Sequence, residues 1–415
     1  MRAFRLGVFL GWRQIQHASM WATGLIVVII LFTFLNLVAL SGILLGIVDG
    51  ALDQVRTQAL GDINVSPLDG ETRVLETERF LQILETYPEI KAYSARYGGL
   101  VTIEANYKER RSLNQDPDII AVNVTGIDPV AEAATTDLED LVAEGEYLDP
   151  NESGYILLGK YNVDRYAAEY GNVYDSLKKI KPGSPVKVTV GDETRDFIVK
   201  GIIDSKVDLI SVSVYMPERE FRRMFDRYDH NANQIAVRLV DGVDEAAVKA
   251  KLESSDLSAL GEISYFSEDI PKFVVDVRDT FQKLSLIVGV IGITVASITI
   301  FIVIFINALS RRRQIGILKA IGITRRTIEF AYITQASFYV IIGSVIGILV
   351  TKFGLVPYFM EHPIDFPYAD TALLIDDAGL LLRFGALLLV ALVAGFIPAW
   401  MITRQNTLDA ILGRK

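Results

Sequence analysis

Four long apolar stretches dominate the hydrophobic pattern of the chain. Each is long enough to cross a bilayer as a helix, which takes about 20 mainly apolar residues. The stretches are residues 21–48, 284–309, 328–353 and 380–402. Their few charged side chains lie close to their ends: Glu329, Lys352 and Arg383. The pattern predicts an α-helical membrane protein with four transmembrane helices, one before and three after a long polar segment.

A short cationic segment precedes the first stretch. Arg2, Arg5 and Arg13 before an apolar run fit a secretory signal, but this run exceeds the roughly 7–15 residues of a signal core. We therefore expect a membrane anchor. Residues 1–20 then form a cytoplasmic amphipathic helix in the inner interface, with arginines on one stripe and apolar side chains on another. An ordinary cytosolic extension of the span is the alternative.

The distribution of lysine and arginine predicts the orientation. Segment 310–327 carries six cations and no acid, whereas segment 354–379 carries five acids and no cation. Because cytoplasmic loops are enriched in Lys and Arg, segment 310–327 and both termini, including the tail 403–415, are expected in the cytoplasm. The acidic loop 354–379 and the long segment 49–283 are expected outside. The predicted location is a plasma (inner) membrane of bacterial type, crossed several times.

The outside segment has the mixed pattern of an α+β domain inserted between the first and second transmembrane helices. Seven β-rich runs with partial alternation and three runs with helical spacing occur between residues 49 and 283. Strand-then-helix units at 62–88 and 234–254 predict that the two ends form one part. The predicted bounds are about 50–110 and 228–275 for the ends and about 112–225 for an inserted β-rich middle.

The residues that carry chemistry give little support to catalysis. Cysteine is absent, which excludes disulfides and thiol catalysis, and the net charge of −10 argues against nucleic acid as a partner. "GYILLGKY" (154–161) resembles part of a phosphate-binding loop, but Tyr161 replaces the Mg²⁺-binding hydroxyl and the apolar interior favours a strand. The acidic run "TTDLEDLVAEGEYLDP" lacks the ligand order of a Ca²⁺ loop. We expect no enzyme activity, cofactor or metal on this chain.

Polar and small residues inside the apolar stretches indicate helix packing. A buried transport site and helix-to-helix hydrogen bonding both explain the polar groups, and we favour the second because no carboxylate, lysine or histidine lies mid-span. The polar groups are Asn36, Ser297, Asn307, Gln335 and Ser337. The spacings Gly42-x-x-x-Gly46 and Gly343-x-x-x-Gly347 predict close helix contact.

The basic connection "SRRRQIGILKAIGITRRTIE" has the pattern of a docking helix. If 311–322 is helical, Gly316 and Ala320 share a face flanked by cations, so a partner with an acidic rim can come close. A positive-inside loop without a partner explains the charges equally well, but not the small pair or the repeated Ile-Gly. The candidate docking residues are Arg311, Arg312, Arg313, Ile315, Gly316, Leu318, Lys319, Ala320 and Gly322.

This connection, quoted as "RRRQIGILKAIGITRRTI", closely resembles the cytoplasmic motif of MacB/FtsX/LolC-type ABC-transporter permeases. The one-plus-three layout agrees with that family, as do "AGFIPAWMITRQNTLDAIL" at the end and "DINVSP" and "GYILLGKYNVDRYA" in the outside segment. Gln335 departs from the pattern, because the family often has a glutamate there.

The resemblance implies a function that the residues alone do not show. In that family two permease chains, identical or related, pair with two copies of a cytosolic ATPase that holds ATP and Mg²⁺. Segment 310–327 would be the coupling helix, and the ends of the outside domain would be porter-like. The implied function is mechanotransmission for export or extrusion of a peptide, lipoprotein or amphiphile. The alternatives are an FtsX-like regulator of an extracellular cell-wall hydrolase and a membrane-anchored receptor or scaffold without an ATPase.

The approach to the second span predicts a stiff lever. "DIPKFVVDVRDTFQKLSLIVGVIGI" has no Gly or Pro between Pro271 and Gly289. An unbroken helix of about 30 residues would reach about 45 Å.

Overall fold

The computed structural model describes residues 2–108, 116–168, 173–266, 268, 272–366, 369–371 and 373–404. The chain forms two compact units. The helical unit comprises Met1–Gly50, Asp276–Phe366 and the described part of Asp370–Lys415, and the second unit is mainly Ala51–Val275. Most of the predicted tail 403–415 and the predicted start of the inserted middle, near residue 112, lie outside the described residues.

Two helices and a wide turn open the chain. They are α1 (Arg2–Gln16), α2 (Met20–Val55) and a π-helical turn, Arg56–Leu60. The apolar stretch 21–48 is therefore only part of a longer helix. The Gly61 amide donates to the Arg56 carbonyl at 2.8 Å, and Gly61, with φ at +76°, ends the turn. A π-turn holds an extra residue and often marks a functional position.

Within its described residues, the α+β domain contains ten strands and six short α-helices. The strands are β1 (Ile63–Ser66), β2 (Ile90–Ala105), β3 (Asp118–Ile127), β4 (Val142–Gly145), β5 (Tyr155–Gly159), β6 (Pro185–Val190), β7 (Glu193–Ile203), β8 (Val214–Pro217), β9 (Gln234–Leu239) and β10 (Glu262–Tyr265). The helices are α3 (Thr77–Leu84), α4 (Pro129–Thr135), α5 (Asp164–Ala167), α6 (Asp208–Ser211), α7 (Glu218–Met224) and α8 (Glu245–Glu253).

The mixed α+β pattern is confirmed for each of the predicted runs. Each of the seven β-rich runs contains a strand, and the three runs with helical spacing contain α3, α7 and α8. Helix α4 was not predicted, although it carries a local signal. The Asp128 carboxylate accepts from the amides of Val130 and Ala131 at 2.9 and 3.3 Å, and Pro129 occupies the first helical position. An Asp cap followed by Pro favours a helix start.

Strand β2 serves both halves of a ten-stranded sheet. The order is β10-β1-β9-β2-β3-β8-β5-β7-β4, and β6 pairs with β2 and β7. The first half of β2 pairs with β9, and the second half pairs with β3 and β6. β1 pairs with β9, which brings the units at 62–88 and 234–254 side by side. The division into ends and an inserted middle stays a prediction, and β2 belongs to both parts.

The domain core follows from strand alternation. In β3, Ile120, Val122 and Val124 are buried, whereas the residues between them are exposed. This is the period of two that a half-buried strand requires. The Phe221 and Phe225 rings stack at 4.2 Å, and an added Cβ on Gly126 would lie 2.5 Å from the Phe221 Cβ. A larger residue than glycine at this position would therefore displace Phe221.

Five further α-helices lie in the described residues after the α+β domain. They are α9 (Lys272–Ser310), α10 (Arg312–Ala320), α11 (Arg325–Val350), α12 (Val356–Glu361) and α13 (Asp377–Thr403). A π-helical turn, Thr351–Leu355, follows α11, and two short strands, β11 (Ile364–Phe366) and β12 (Ala369–Thr371), lie between α12 and α13. Helix α9 has 39 residues and continues through Gly289, so the predicted unbroken helix is confirmed, with a length of about 58 Å.

In the part of the chain that the structure describes, four helices are long and apolar enough to cross a membrane. They are Thr23–Leu60, Arg278–Ser310, Arg325–Glu361 and Asp377–Thr403. Each contains one of the four predicted stretches almost entirely. The chain is therefore an α-helical protein of the multi-pass membrane type that carries an α+β domain.

Small residues bring the helices of the bundle together. A Cβ added at Gly343 would lie 2.8 Å from Ile30, and one at Gly347 would overlap the Phe34 ring, so both glycines face α2. Gly42 was predicted to contact a helix, but a Cβ added there would lie 2.9 Å from Leu373 and from Ile375, which precede α13 and are not helical. Gly46 is buried.

Gln335 has a hydrogen-bond partner closer in sequence than predicted. The Gln335 amide donates to the Tyr339 hydroxyl at 2.8 Å, and both residues lie in α11. The expected helix-to-helix bond is therefore wrong for Gln335, because the four-residue spacing puts a partner on the same helix face. The hydroxyls of Ser41 and Ser285 do connect α2 to α9, at 3.2 Å.

Candidate functional site

The basic connection folds as a short, sharply bounded helix, α10. Arg311, with φ at −100° and ψ at 13°, separates it from α9. At its other end Gly322 has φ at +95°, a conformation that favours glycine. The Gly322 amide donates to the Lys319 carbonyl at 3.1 Å, and the Ile323 amide donates to the Leu318 carbonyl at 3.0 Å. This is a Schellman motif, so the role of Gly322 is to end the helix.

One face of α10 is attached to the helical bundle. Ile315 is 2% exposed and Gly316 is also buried. Leu318 and Ile323 pack against the core that α2, α9, α11 and α13 share. Contact between the residues that close a Schellman motif is a common feature of such helix ends. The apolar face of α10 thus fixes its position on the bundle.

A polar chain links α10 to the end of α13. The Lys319 ammonium donates to the Thr403 carbonyl at 3.0 Å, and the Thr403 hydroxyl donates to Glu329 at 3.1 Å. Burial, followed by repulsion from Arg325, lowers the pKa of Lys319. Three helices, α10, α11 and α13, are therefore connected through one threonine, and movement of α10 would act directly on both membrane helices.

The opposite face of α10 is exposed and mixes apolar with cationic side chains. Ile317 is 48% exposed and Ile321 is 71% exposed, and Arg313 and Ala320 are exposed beside them. Helical spacing puts these residues, with Gln314, on one arc of the helix.

The docking residues predicted from the sequence come from both faces of α10. Arg313 and Ala320 lie on the exposed arc, and Arg311 and Arg312 are half-buried at the start of the helix. The structure puts four of the predicted docking residues on the attached face: Ile315, Gly316, Leu318 and Lys319. Gly316 and Ala320 therefore do not form one open docking face, because the bundle covers Gly316.

The two ends of the bundle differ in charge. Helix α13 runs antiparallel to α11, since Thr403 contacts Glu329 while Asp377 contacts Lys352 at 2.6 Å, just beyond the far end of α11. Lys319 and Arg313 lie at the Thr403 end. The acidic segment before α13 lies at the other end. This arrangement is consistent with the segregation of charge that predicts membrane orientation.

Helix α1 has a packing role that the sequence reasoning missed. Phe4 meets Phe330 edge-on at 5.4 Å, and Trp12 meets Phe338 at 5.6 Å, so α1 and α11 run in the same direction for about 12 Å. Gly7 and Gly11 face α11 between these contacts. The expected position of this helix in the membrane interface stays a prediction, and the structure adds that it packs alongside α11. The spacing Gly7-x-x-x-Gly11 was the signal that could have shown this.

The resemblance of residues 154–161 to a phosphate-binding loop does not extend to the structure. Tyr155–Gly159 is strand β5, paired with β7 and β8, so the prediction of a strand is confirmed. The Lys160 ammonium contacts Asp204 at 2.5 Å. Among the described residues, no group of three or more His, Asp or Glu side chains is placed to hold a metal ion.

Long apolar helices, an α+β domain and a cationic connecting helix describe a multi-pass membrane protein that carries a large additional domain. Two family profiles match the chain: "FtsX-like permease C-terminal" over residues 286–407 and "MacB-like periplasmic core domain" over residues 23–255. The chain belongs to the MacB/FtsX-like family of ABC-transporter permeases.

Curated relatives share part of this chain. It is 26% identical over 182 residues to the macrolide export ATP-binding/permease protein MacB of Burkholderia cenocepacia, covering 43% of this chain and 26% of that protein. It is 24% identical over 182 residues to the probable syringafactin export ATP-binding/permease protein SyfD of Pseudomonas syringae pv. tomato, with the same coverage. The matched part of the chain spans about a quarter of the length of these relatives.

Among solved structures, the periplasmic region of MacB from Actinobacillus actinomycetemcomitans covers 55% of this chain and 97% of its own length. Its sequence identity is 15% and its TM-score is 0.37. The extracellular domain of the noncanonic ABC-type transporter YknZ from Gram-positive bacteria covers 49% and 97%, with 14% identity and a TM-score of 0.32.

Proposed function

We propose that this chain is the permease subunit of an ABC transporter, and that it converts ATP hydrolysis on a separate cytosolic ATPase into movement of its α+β domain. One observation carries the proposal. Helix α10 has one face bound to the membrane bundle and an opposite, exposed face of Ile317 and Ile321 beside Arg313. An apolar strip with a cationic edge suits a groove with an acidic rim.

The proposed orientation places α10 and both termini in the cytoplasm and the α+β domain outside, in a one-plus-three arrangement of spans. The cationic end of the bundle supports it, since Lys and Arg are retained on the cytoplasmic side. ATP and Mg²⁺ would bind the partner. This chain's part is to receive the movement at α10 and pass it on through the contacts of Lys319 and Thr403.

Two permease chains and two ATPase copies would form the working assembly. Helix α9 supports this pairing, because a large share of its apolar surface lies exposed in the single chain, including Ile287, Ile291, Ile298 and Ile302. Such a surface requires lipid or a second helix. We leave open whether the second permease chain is identical or related.

The proposed cargo is an amphiphile, a peptide or a lipoprotein that is moved outward. The names of the relatives support this class, since they describe export of macrolides and, for the Pseudomonas protein, export of syringafactin. The match of residues 23–255 to a MacB-like domain favours export over control of a cell-wall hydrolase.

Recovery of an active ATPase with the tagged chain, from its native membrane in mild detergent, tests this proposal. We expect the wild-type chain to carry ATP-hydrolysing activity through purification. Ile317→Glu combined with Ile321→Glu places two charges on the exposed arc and should abolish that activity. Leu209→Glu is the matched control, because Leu209 is a 59% exposed leucine in the α+β domain.

Two results would contradict the proposal. One is a folded wild-type chain that carries no ATPase activity, which would favour a receptor or scaffold. The other is a double α10 variant that retains the wild-type activity, which would place the docking surface elsewhere.

A further inference from the structure

The π-helical turn that follows α2 is held by three separate segments of the α+β domain. Three consecutive residues of the turn, 57 to 59, each accept one hydrogen bond. The Thr57 carbonyl accepts from the Asp137 amide at 3.1 Å, the Gln58 side chain accepts from the Ser205 hydroxyl at 2.7 Å, and the Ala59 carbonyl accepts from the Arg96 guanidinium. The donors belong to β2, to the loop after α4 and to the loop after β7.

A buried ion pair supports the middle of this arrangement. Arg96 is 8% exposed and Glu132 is 1% exposed. The guanidinium donates to both carboxylate oxygens, from Nε at 3.0 Å and from Nη2 at 2.5 Å. This geometry leaves Nη1 directed at the Ala59 carbonyl. A planar guanidinium held at two points on a carboxylate has little freedom to turn, so it positions its third nitrogen accurately.

The carboxylate of this pair is itself fixed. Ser94 and Thr136 donate to it at 2.7 and 2.8 Å. Burial raises the pKa of Glu132, but Arg96 and the two hydroxyls outweigh burial and lower the pKa below its ordinary value. Glu132 is thus held as an ion. It belongs to α4, so the pair also ties α4 to β2.

The chain immediately after the turn is attached to a different strand. The Asp62 amide donates to the Val237 carbonyl at 2.8 Å, and the Asp62 carboxylate accepts from the Leu239 amide at 2.7 Å. A Cβ at Gly61 would lie 2.7 Å from the Val237 carbonyl oxygen, so Gly61 allows a close approach to β9. Residues 57–62 are therefore hydrogen-bonded to both halves of the sheet, which β2 connects.

We infer that Arg96 and Glu132 are a positioning pair that locks the end of the first membrane helix into the α+β domain. A displacement of the turn would then act on β2, α4 and the loop after β7 together, and on β9 through Asp62. This role deepens the proposed function, since it names the joint at which movement of α2 would enter the domain. The pair takes no part in ATP or substrate chemistry.

Spin-label distances in the full chain test this inference without any ATPase. The chain has no cysteine, so Asp53→Cys near the end of α2 and Asn123→Cys on β3 give labels at two exposed positions of the same compact unit. Dilution with unlabelled protein isolates the distance within one chain. We expect a narrow distribution in the otherwise wild-type chain and one about twofold wider in Arg96→Met, because the released turn samples more positions.

Further variants separate a positioning role from simple loss of fold. Arg96→Lys keeps the positive charge but loses the planar guanidinium that binds both carboxylate oxygens, so it should also widen the distance distribution. Ser205→Ala removes only the bond to Gln58 and should widen it less. Arg165→Met is the matched control. It breaks another ion pair of the same domain, in which Arg165 Nη2 lies 2.5 Å from Glu144 Oε2 and both side chains are partly exposed. It should leave the distribution narrow.

Circular dichroism and the melting temperature establish which variants fold. If Arg96→Met fails to fold, the width of the distance distribution in Ser205→Ala tests the inference. The inference would be overturned if the distance distribution had its wild-type width in Ser205→Ala and in every Arg96 variant that folds. Because the measurement needs no partner, failure to recover an ATPase would contradict the proposed function and leave this result standing.

Discussion

Lys319 and Arg313 show two uses of a cation within one short helix. The Lys319 ammonium donates to the Thr403 carbonyl inside the protein, whereas Arg313 is exposed. The sequence showed how many cations the connection has and that it would be helical. It could not show which face packs, because the residue that receives Lys319 lies 84 positions further along the chain.

Glu132 provides a prediction about pH at the scale of one residue. Its pKa is lower in the folded protein than the ordinary value of 4.5, so its contribution to stability is complete above that pH and is lost as the pH falls through the folded pKa. We expect the melting temperature of the full chain in detergent to fall on acidification below about pH 4.5. Glu132→Gln should reduce this slope.

Glu132→Gln should also lower stability at neutral pH, by about 3–5 kcal/mol, because it leaves Arg96 charged and buried without its partner. Thermal melts of both proteins across the same pH series measure the two effects. An unchanged slope in the folded variant would show that Glu132 does not contribute to acid sensitivity.

At the scale of elements, the local pattern identified strands but not their partners. Alternation in β3 and in the second half of β2 was recognisable because these segments bury one face. The pairing of β2 could not be predicted from the sequence, because its 16 residues pair with β9 at one end and with β3 and β6 at the other. Pairing over such separations depends on the whole domain. The same limit applies to Arg96 and Glu132, which are 36 residues apart.

The contact between α1 and α11 gives a prediction with a matched control. A Cβ at Gly11 would lie 2.7 Å from the Ala331 carbonyl and 3.0 Å from Thr334, so the two helices would have to move apart. We expect Gly11→Ala to destabilise the protein in detergent by about 1–3 kcal/mol. At Gly24, also helical, an added Cβ meets nothing within 4 Å.

Gly24→Ala should therefore stabilise α2 by about 0.5–1 kcal/mol, because alanine loses less backbone entropy than glycine. Melting temperatures of the two variants and the wild type check the difference in sign. Equal shifts in the same direction would show that α1 does not depend on close packing against α11.

At the scale of the whole molecule, the chain combines a helical membrane unit with an α+β domain. Its family membership, its four apolar helices and its α+β domain describe a permease, and its conspicuous polar contacts lie where helices end. Lys319 and Thr403 join α10 to the bundle, and Arg96 and Glu132 hold the end of α2. The sequence predicted the spans and the family, because both depend on local composition and motif, but it did not predict these joints.

The proposed mechanotransmission requires that helix α9 is stiff. It continues for 39 residues without a break. A Gly-Pro insertion after Thr280 would interrupt it, since proline removes a helical hydrogen bond and glycine loosens the backbone. The same insertion after Gly191, in the exposed turn between β6 and β7, is the control.

The most direct test measures the spin-label distance between Asn123→Cys sites in two permease chains reconstituted with their ATPase, with and without ATP. We predict that ATP shifts this distance in the wild-type and Gly191 proteins. We predict no shift in the Thr280 insertion, although ATP is still hydrolysed. An ATP-driven shift of wild-type size in the folded Thr280 protein, or no shift in a wild-type complex that hydrolyses ATP, would contradict mechanotransmission through this chain.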